Sequence, residues 1–377
     1  MSPPEPLETR VPLRLLFVGA DVALAARLAA GCVGAATLEA VDSAAAALER
    51  AAATAFDAAL VQPRLAQGSG NALLGALKRE HPAVVRCLLL DDGRDAPALA
   101  ALENLHRVLQ QPLDPAALVE DLQALLALRR RLGRPALAEA IGRVGRLPPP
   151  PRLSLELLRR TEDGETSARE VAALVESDPA LAAKVLRLCN SAMYAGQRRI
   201  EDIHSAVVRL GNLALRRLVL AGEIFGTGRT RAEDPAQEAL RERSLRASRL
   251  AARLLPGPRA DLAATAALLA GVGRLLPEVR LPWLPAAAAE ADWPGYDEAG
   301  AYLLALWGLP EPLVEATARH VHPGAAGESG LGLVGACHLA WALAGDVPLD
   351  GGWLAAQGLE GELEAWRALA ADASDAG

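Results

Sequence analysis

Five short apolar runs, each of strand length and separated by stretches of helix length, constrain this chain more than any other feature. They are Leu13–Val18, broken only by Arg14, and residues 37–41, 56–61, 84–90 and 105–109. Runs that are apolar throughout, rather than alternating, belong to strands covered on both faces, which is the condition of a parallel sheet in an α/β domain. The intervening segments are rich in Ala and Leu, residues that lose little on entering a helix. Asp42 is expected to cap a helix over Ala44–Ala53, and Asp114-Pro115 to open one over 116–131, because an Asp carboxylate accepts free first-turn amides and proline tolerates the first helical position. Five such units in one domain predict a flavodoxin-like, doubly wound, five-stranded parallel sheet.

The pattern changes after Arg131. Gly133, Arg134 and Pro135 lead through an Ala-rich stretch to Leu147 and the prolines at 148–151. Consecutive prolines hold a chain extended and cannot continue a helix. Beyond them the apolar period is helical. Ser167-Ala168-Arg169-Glu170 has the form of a capping box ahead of Val171, Leu174 and Val175. Asp178-Pro179 starts another helix, a cap typically worth ~1 kcal/mol, with Leu181, Val185, Leu188 and Ala192 on one side. Ile200, Ile203, Val207 and Leu210 repeat the spacing, and Gly211 is expected to end it as a glycine cap. The domain plan is a flexible tail over 1–10, an α/β domain over 11–131, a linker over 132–146, an all-helical domain over 147–345, and a C-terminal tail or helix over 346–377.

Composition narrows the function classes. In 377 residues the net charge is -7 and aromatics make up 3%, so general attraction to nucleic acid or anionic membranes is not favoured. Cys32, Cys87, Cys189 and Cys337 lie far apart with no CxxC spacing, which suits a reducing cytoplasm. Leu28-Ala29-Ala30-Gly31-Cys32 loosely imitates a lipoprotein cleavage site, but Asp21 and Arg27 interrupt the apolar segment a signal peptide needs. No apolar run reaches the ~18 residues that span a bilayer. The Gly68-Ser69-Gly70 cluster lacks the context of a phosphate loop, and there is no nucleophile elbow or HExxH pair.

Over residues 11–130 the sequence resembles response-regulator receiver domains: Leu16-Phe17-Val18 matches the first strand, residues 56–61 the third, and Gln111-Pro112 the turn after the fifth. Receivers carry an acidic pair after strand one, an acceptor Asp after strand three, Ser or Thr after strand four, and Lys before the proline. Here those places hold Gly19 and Ala20 (with Asp21 beside them), Gln62, Asp91 and Gln111. A hard cation needs several oxygen ligands, and a neutral amide takes no phosphoryl group. Asp57 falls at the wrong end of its strand to substitute. The resemblance therefore implies a pseudo-receiver.

The second half is similar to the HDOD family. The string runs through the prolines near 148, Asp178-Pro179-Ala180-Leu181, Lys184 to Leu188, Asn190-Ser191-Ala192, Tyr194, and Ala206 to Gly211. The family is related in fold to HD phosphohydrolases and is often fused to receivers. Leu268-Leu269-Ala270-Gly271-Val272-Gly273-Arg274-Leu275 stands where HD proteins read Leu-Leu-His-Asp-Ile-Gly-Arg-Leu, so Ala270 and Gly271 replace two metal ligands. The upstream ligand histidine falls near Arg243, before Ser244. Tyr296 replaces a further histidine, Trp341 the late Asp ligand, and Trp307-Gly308-Leu309-Pro310 keeps a family signature. Asp178, Pro179, Asn190, Ser191 and Gly211 are read as structural motif residues, through capping and local backbone bonding.

His320 and His322 are the one close histidine pair. Two apart on a helix, they face different ways and read as a solvated end or a core hydrogen bonder. Lys184, Arg187, Arg198, Arg199, Arg209, Arg216 and Arg217 form a basic stretch over 184–217, whose readings are a solvated face, a dock for an acidic partner or, less favoured, a nucleic-acid surface. The expectation is a cytoplasmic, non-catalytic bacterial signalling adaptor with no cofactor. It would bind other signalling proteins, with homodimerisation through the receiver-like domain as one option. The alternatives are a sensor that binds a nucleotide or cyclic dinucleotide without hydrolysis and, less favoured, a metal-dependent phosphohydrolase or nucleic-acid binder.

Overall fold

The computed structural model describes residues 12–90, 103–133, 135–145, 147, 153, 156–157, 166–190, 199–220, 235–276, 295–345 and 347–375. The chain divides into two compact units, Met1–Arg130 and Arg131–Gly377.

The first unit is the doubly wound sheet. Strands β1 (Leu13–Val18), β2 (Ala36–Val41), β3 (Ala58–Val61), β4 (Val85–Leu90) and β5 (Arg107–Gln110) run in the order β2-β1-β3-β4-β5, every pairing parallel. Every residue of β3 and β4 is buried, as the continuous apolar runs require. Helices α1 (Val22–Gly31), α2 (Ala44–Ala53), α3 (Gly70–Glu80) and α4 (Pro115–Arg131) cover the sheet. Three strands begin later than the apolar runs suggested, β4 by a single residue. The third strand starts at Ala58, just after Asp57, whose backbone donates to Arg14 O at 2.8 Å and accepts from Val85 N at 2.9 Å. The Asp57 carboxylate takes the amide of Arg14 at 3.0 Å and the Arg129 guanidinium at 3.1 Å. Leu105 and His106 are buried ahead of β5 without belonging to it. The cap of α2 is Ser43, whose hydroxyl accepts from Ala46 N at 3.4 Å, and not Asp42, which lies one residue too early. Asp114 caps α4 as expected, accepting from Ala116 N at 2.9 Å.

The regular elements among the second unit's described residues are all helical. The expected linker over 132–146 instead carries α5 (Pro135–Gly142), with Leu137, Ala138, Ala140 and Ile141 buried, because its apolar residues have a face to cover. Then follow α6 (Ala168–Val175), α7 (Pro179–Cys189), α8 (Ile203–Leu220), α9 (Pro235–Leu254), α10 (Arg259–Ala270) and a 3-10 turn, Val272–Leu275. After these come α11 (Tyr296–Leu306), α12 (Glu311–Arg319) and α13 (Leu333–Leu343). The segment expected as a tail or helix forms two helices, α14 (Gly351–Gln357), capped by Asp350, and α15 (Leu363–Asp375). The Ser167/Glu170 capping box forms with both bonds in place. Gly211 ends the first helical run as expected: at φ 73 and ψ 156, a conformation open to glycine, it is non-helical and breaks Ile203–Leu220 into two helical stretches, together labelled α8. No helix among the described residues is long and apolar enough to cross a membrane. All four cysteines are buried free thiols, and burial pushes Cys87 and Cys189 up to about 11.

Candidate functional site

A doubly wound sheet exposes its chemistry at the carboxyl ends of its strands. There β1 runs into Gly19 and Ala20, and β3 into Gln62, whose amide donates to Val18 O at 2.9 Å and carries the strand one residue further. The Gln62 side chain lies over Gly19. Its Oε1 accepts from Asp21 N at 3.3 Å and would stand 2.0 Å from a Cβ built on residue 19. The Asp21 carboxylate is the N-cap of α1, accepting from Leu24 N at 2.8 Å. Gln111 extends β5 by donating to Leu90 O at 3.1 Å. Asp91 lies outside the described residues. Asp57 is at the amino end of its strand, paired with Arg129. Of the receiver-motif positions described at this edge, Asp21 alone is acidic, and helix capping commits it. Gly19→Ala is expected to push Gln62 aside and cost about 1 kcal/mol, the worth of one hydrogen bond. That cost disappears in a Gln62→Ala background; urea denaturation of both variants checks the coupling.

The second locus lies where α9, α10, α12 and α13 meet. Trp341 on α13 is fully buried, and its Nε1 donates to Ala267 O at 2.8 Å. The indole lies against Gly271: a Cβ there would be 2.4 Å from Trp341 Cη2 and 2.9 Å from Leu240 Cδ1. Residue 271 is therefore glycine because the ring occupies the space its side chain would need. Ala270 beside it is buried and carries no donor atom. The His320 ring sits 5.5 Å from the Trp341 ring. His320 is wholly buried, as a core hydrogen bonder is. Its Nδ1 donates to Thr317 O at 2.8 Å, leaving Nε2 to accept the Tyr296 hydroxyl at 2.9 Å. His322 is exposed, so the two histidines do not converge. The Arg274 guanidinium stacks over Tyr296 at 3.9 Å and stands 5.8 Å from the Trp341 ring. A cation, two aromatic rings and an imidazole whose nitrogens are both bonded make a close-packed cluster with no converging lone pairs. The residues at 270, 271 and 341 do not fit a metal ion. Among the described residues, no group of three or more His, Cys, Asp or Glu side chains is placed to hold one.

Sequence reading missed how the motif residues tie the unit together. Asp178 caps α7 through Leu181 N at 2.9 Å, while its other oxygen takes Arg241 Nε of α9 at 3.0 Å. Both side chains are under a tenth exposed, and Arg241 also reaches Glu238. Burial raises the Asp178 carboxyl above its ordinary value, outweighing the Leu181 amide and the guanidinium, which pull it down. Asn190 holds Ile200 by two bonds of 2.8 Å, one from each end of its amide, and donates to Leu186 O at 3.1 Å. Ser191 and the 148–151 prolines lie outside the described residues. The basic stretch over 184–217 is not one surface. Lys184 and Arg187 are 6% and 4% exposed, and Arg187 lies over the Trp307 ring at 4.6 Å while donating to Gly145 O.

His338 is buried with both ring nitrogens in use: Nδ1 donates to His320 O at 2.7 Å and Nε2 accepts from Asp350 N at 3.0 Å. Burial lowers its pKa, with the His320 carbonyl and Asp350 acting the other way. The unfolded chain takes a proton near pH 6.5 that native His338 refuses. Its contribution is therefore fully present above about pH 6.5 and is lost as pH falls toward the lowered native value, by up to about 1.4 kcal/mol per pH unit. Asp178 and Asp297, both raised by burial, act in the opposite sense, since the native carboxyls bind protons first and their contribution fades as pH rises. The difference between the parent and His338→Gln isolates the histidine. Urea midpoints from pH 7.5 down to about 5.5 should fall more steeply for the parent; parallel curves would refute the assignment.

Residues 147–323 match the family model of the HDOD domain. A protein of Treponema pallidum (strain Nichols) described as uncharacterized is 28% identical over 204 residues, 48% of this chain. The chain spans 39% of that curated relative's length. Among solved structures, the MmoQ response regulator from Methylococcus capsulatus str. Bath is 26% identical, over 59% of this chain and 98% of that one, with a TM-score of 0.45. An HDOD domain protein with unknown function from Geobacter sulfurreducens is 20% identical, over 65% and 99%, with a TM-score of 0.31.

Proposed function

We propose, from the HDOD domain that residues 147–323 form, that this chain is a non-catalytic adaptor of signal transduction, acting through contacts with other proteins. The observation that carries the reading is the Trp341 indole packed against Gly271, where a metal-dependent hydrolase of related fold would need ligands. Water activation by a metal needs an open coordination position and several donors; this cluster offers an aromatic edge, a methyl group and a guanidinium. The receiver-like unit supports the same reading, because Gln62 overlies Gly19 and Asp21 is committed to a helix end. In this reading both units keep their folds for their surfaces. Incubation of the full chain with acetyl phosphate and Mg²⁺, followed by intact-mass measurement, tests the receiver half. The expected spectrum shows the unmodified mass alone; a stable phosphoryl adduct mapping to residues 12–131 would overturn it.

A further inference from the structure

The outer face of α9 carries a row of arginines that nothing above uses. Arg246, Arg249 and Arg253 are all exposed, with Glu242 at the row's amino end and exposed Arg259 just beyond the helix. Residues three and four apart on a helix are neighbours, so Arg246 faces Arg249 and Arg249 faces Arg253: like charges that repel. Arg253 lies in the last turn, where the helix dipole favours a cation, and it already donates to Leu369 O of α15 at 3.3 Å; Arg246 and Arg249 lie before it. Among the described residues neither Arg246 nor Arg249 has an ion-pair partner. This concentration of positive charge stands on a chain whose net charge is -7. Beside the row run Leu245 and Ala252, both half-buried.

We propose that this face of α9 docks an acidic helix of a partner protein. Arg246 and Arg253 are one heptad apart, a rise of about 10 Å, so carboxylates one heptad apart on a facing helix meet both, with Arg249 between them. Leu245 and Ala252 share that heptad spacing and supply the apolar seam that helix pairing needs, flanked by charge as in coiled coils. That seam favours a helix over a nucleic acid, which would ask for stacking aromatics, and none is on α9. The partner's carboxylates relieve the repulsion along the row and set its register and orientation. The inference rests on the adaptor reading and names the surface through which it would act.

The test uses the full chain and a labelled helical peptide of roughly three heptads, with Glu and Leu at the spacings that match the row and seam. A scrambled peptide of the same composition and a short DNA duplex serve as comparisons. Fluorescence anisotropy at about 50 mM salt should show the matched peptide binding about tenfold tighter than the scrambled one. Arg246→Glu/Arg249→Glu should abolish that preference, and Arg246→Gln/Arg249→Gln should remove part of it with the helical signal unchanged. Equal binding of matched and scrambled peptides, or indifference to both double variants, overturns the proposal. So does tighter binding of the duplex that the same substitutions abolish, which would give the face to nucleic acid. Metal content and phosphoryl transfer measured on the same proteins separate the two ideas. A null peptide result with neither chemistry present removes this surface alone, whereas either chemistry removes the adaptor reading.

Discussion

Trp341→Ala lowers the free energy of unfolding by about 3–5 kcal/mol, the range for deleting a large buried aromatic whose site collapses incompletely. The side chain is fully buried, its ring touches Gly271 and neighbours His320, and its Nε1 satisfies Ala267 O, so truncation leaves a cavity and a carbonyl without its donor. Gly271→Ala also destabilises, because the new methyl would stand 2.4 Å from Trp341 Cη2 and 2.9 Å from Leu240 Cδ1. Combined, the two changes should be strongly non-additive: in the Trp341→Ala background the methyl at 271 enters space the ring has left. Urea denaturation of the four proteins gives the coupling, expected above about 1 kcal/mol in the compensating direction. Additive effects would mean that the ring does not fill the space at 271.

Arg241→Met is expected to cost about 3–5 kcal/mol, the cost of leaving a buried carboxylate without its cation. Asp178 is enclosed, and its remaining bond, to Leu181 N, cannot replace the guanidinium. Asp178→Asn should cost much less. The amide oxygen still caps α7, and Arg241 keeps Glu238, which is a third exposed. The asymmetry follows from burial: the acid is deep, and the base has a second partner nearer solvent. Chemical denaturation of both variants measures it, and equal losses would show that the pair acts only as a cap. The larger loss reports on the joint between α7 and α9, residues 63 apart in sequence.

Much of the architecture was legible before any coordinates, for local reasons. Continuous apolar runs give strands covered on both faces, and the Ser167 box and Asp178-Pro179 place helix starts to the residue, because capping depends on side chains within one turn. What escaped is set by long-range contact. Nothing near Asp178 announces Arg241; the one available signal is that Arg241 falls three residues before Ser244, on the side of α9 that its apolar residues mark as buried. Gly271 and Trp341 are each readable as departures from a resemblance. That they fill one another's space is a packing fact between residues 70 apart. Lys184 and Arg187 misled because charge suggests exposure, yet both are buried; the Arg187 head is received by an aromatic ring and a carbonyl. The helix at 135–142 was passed over because its apolar face is short.

Elemental analysis of the full chain, purified without a metal-binding tag after growth with added manganese, iron and zinc, addresses the central claim most directly: that Trp341 and its neighbours occupy the place of a catalytic metal. The account predicts far less than one transition metal ion per chain, with no gain in thermal stability when these ions are added back. One or two equivalents that survive dialysis and disappear when His320 is replaced would contradict it.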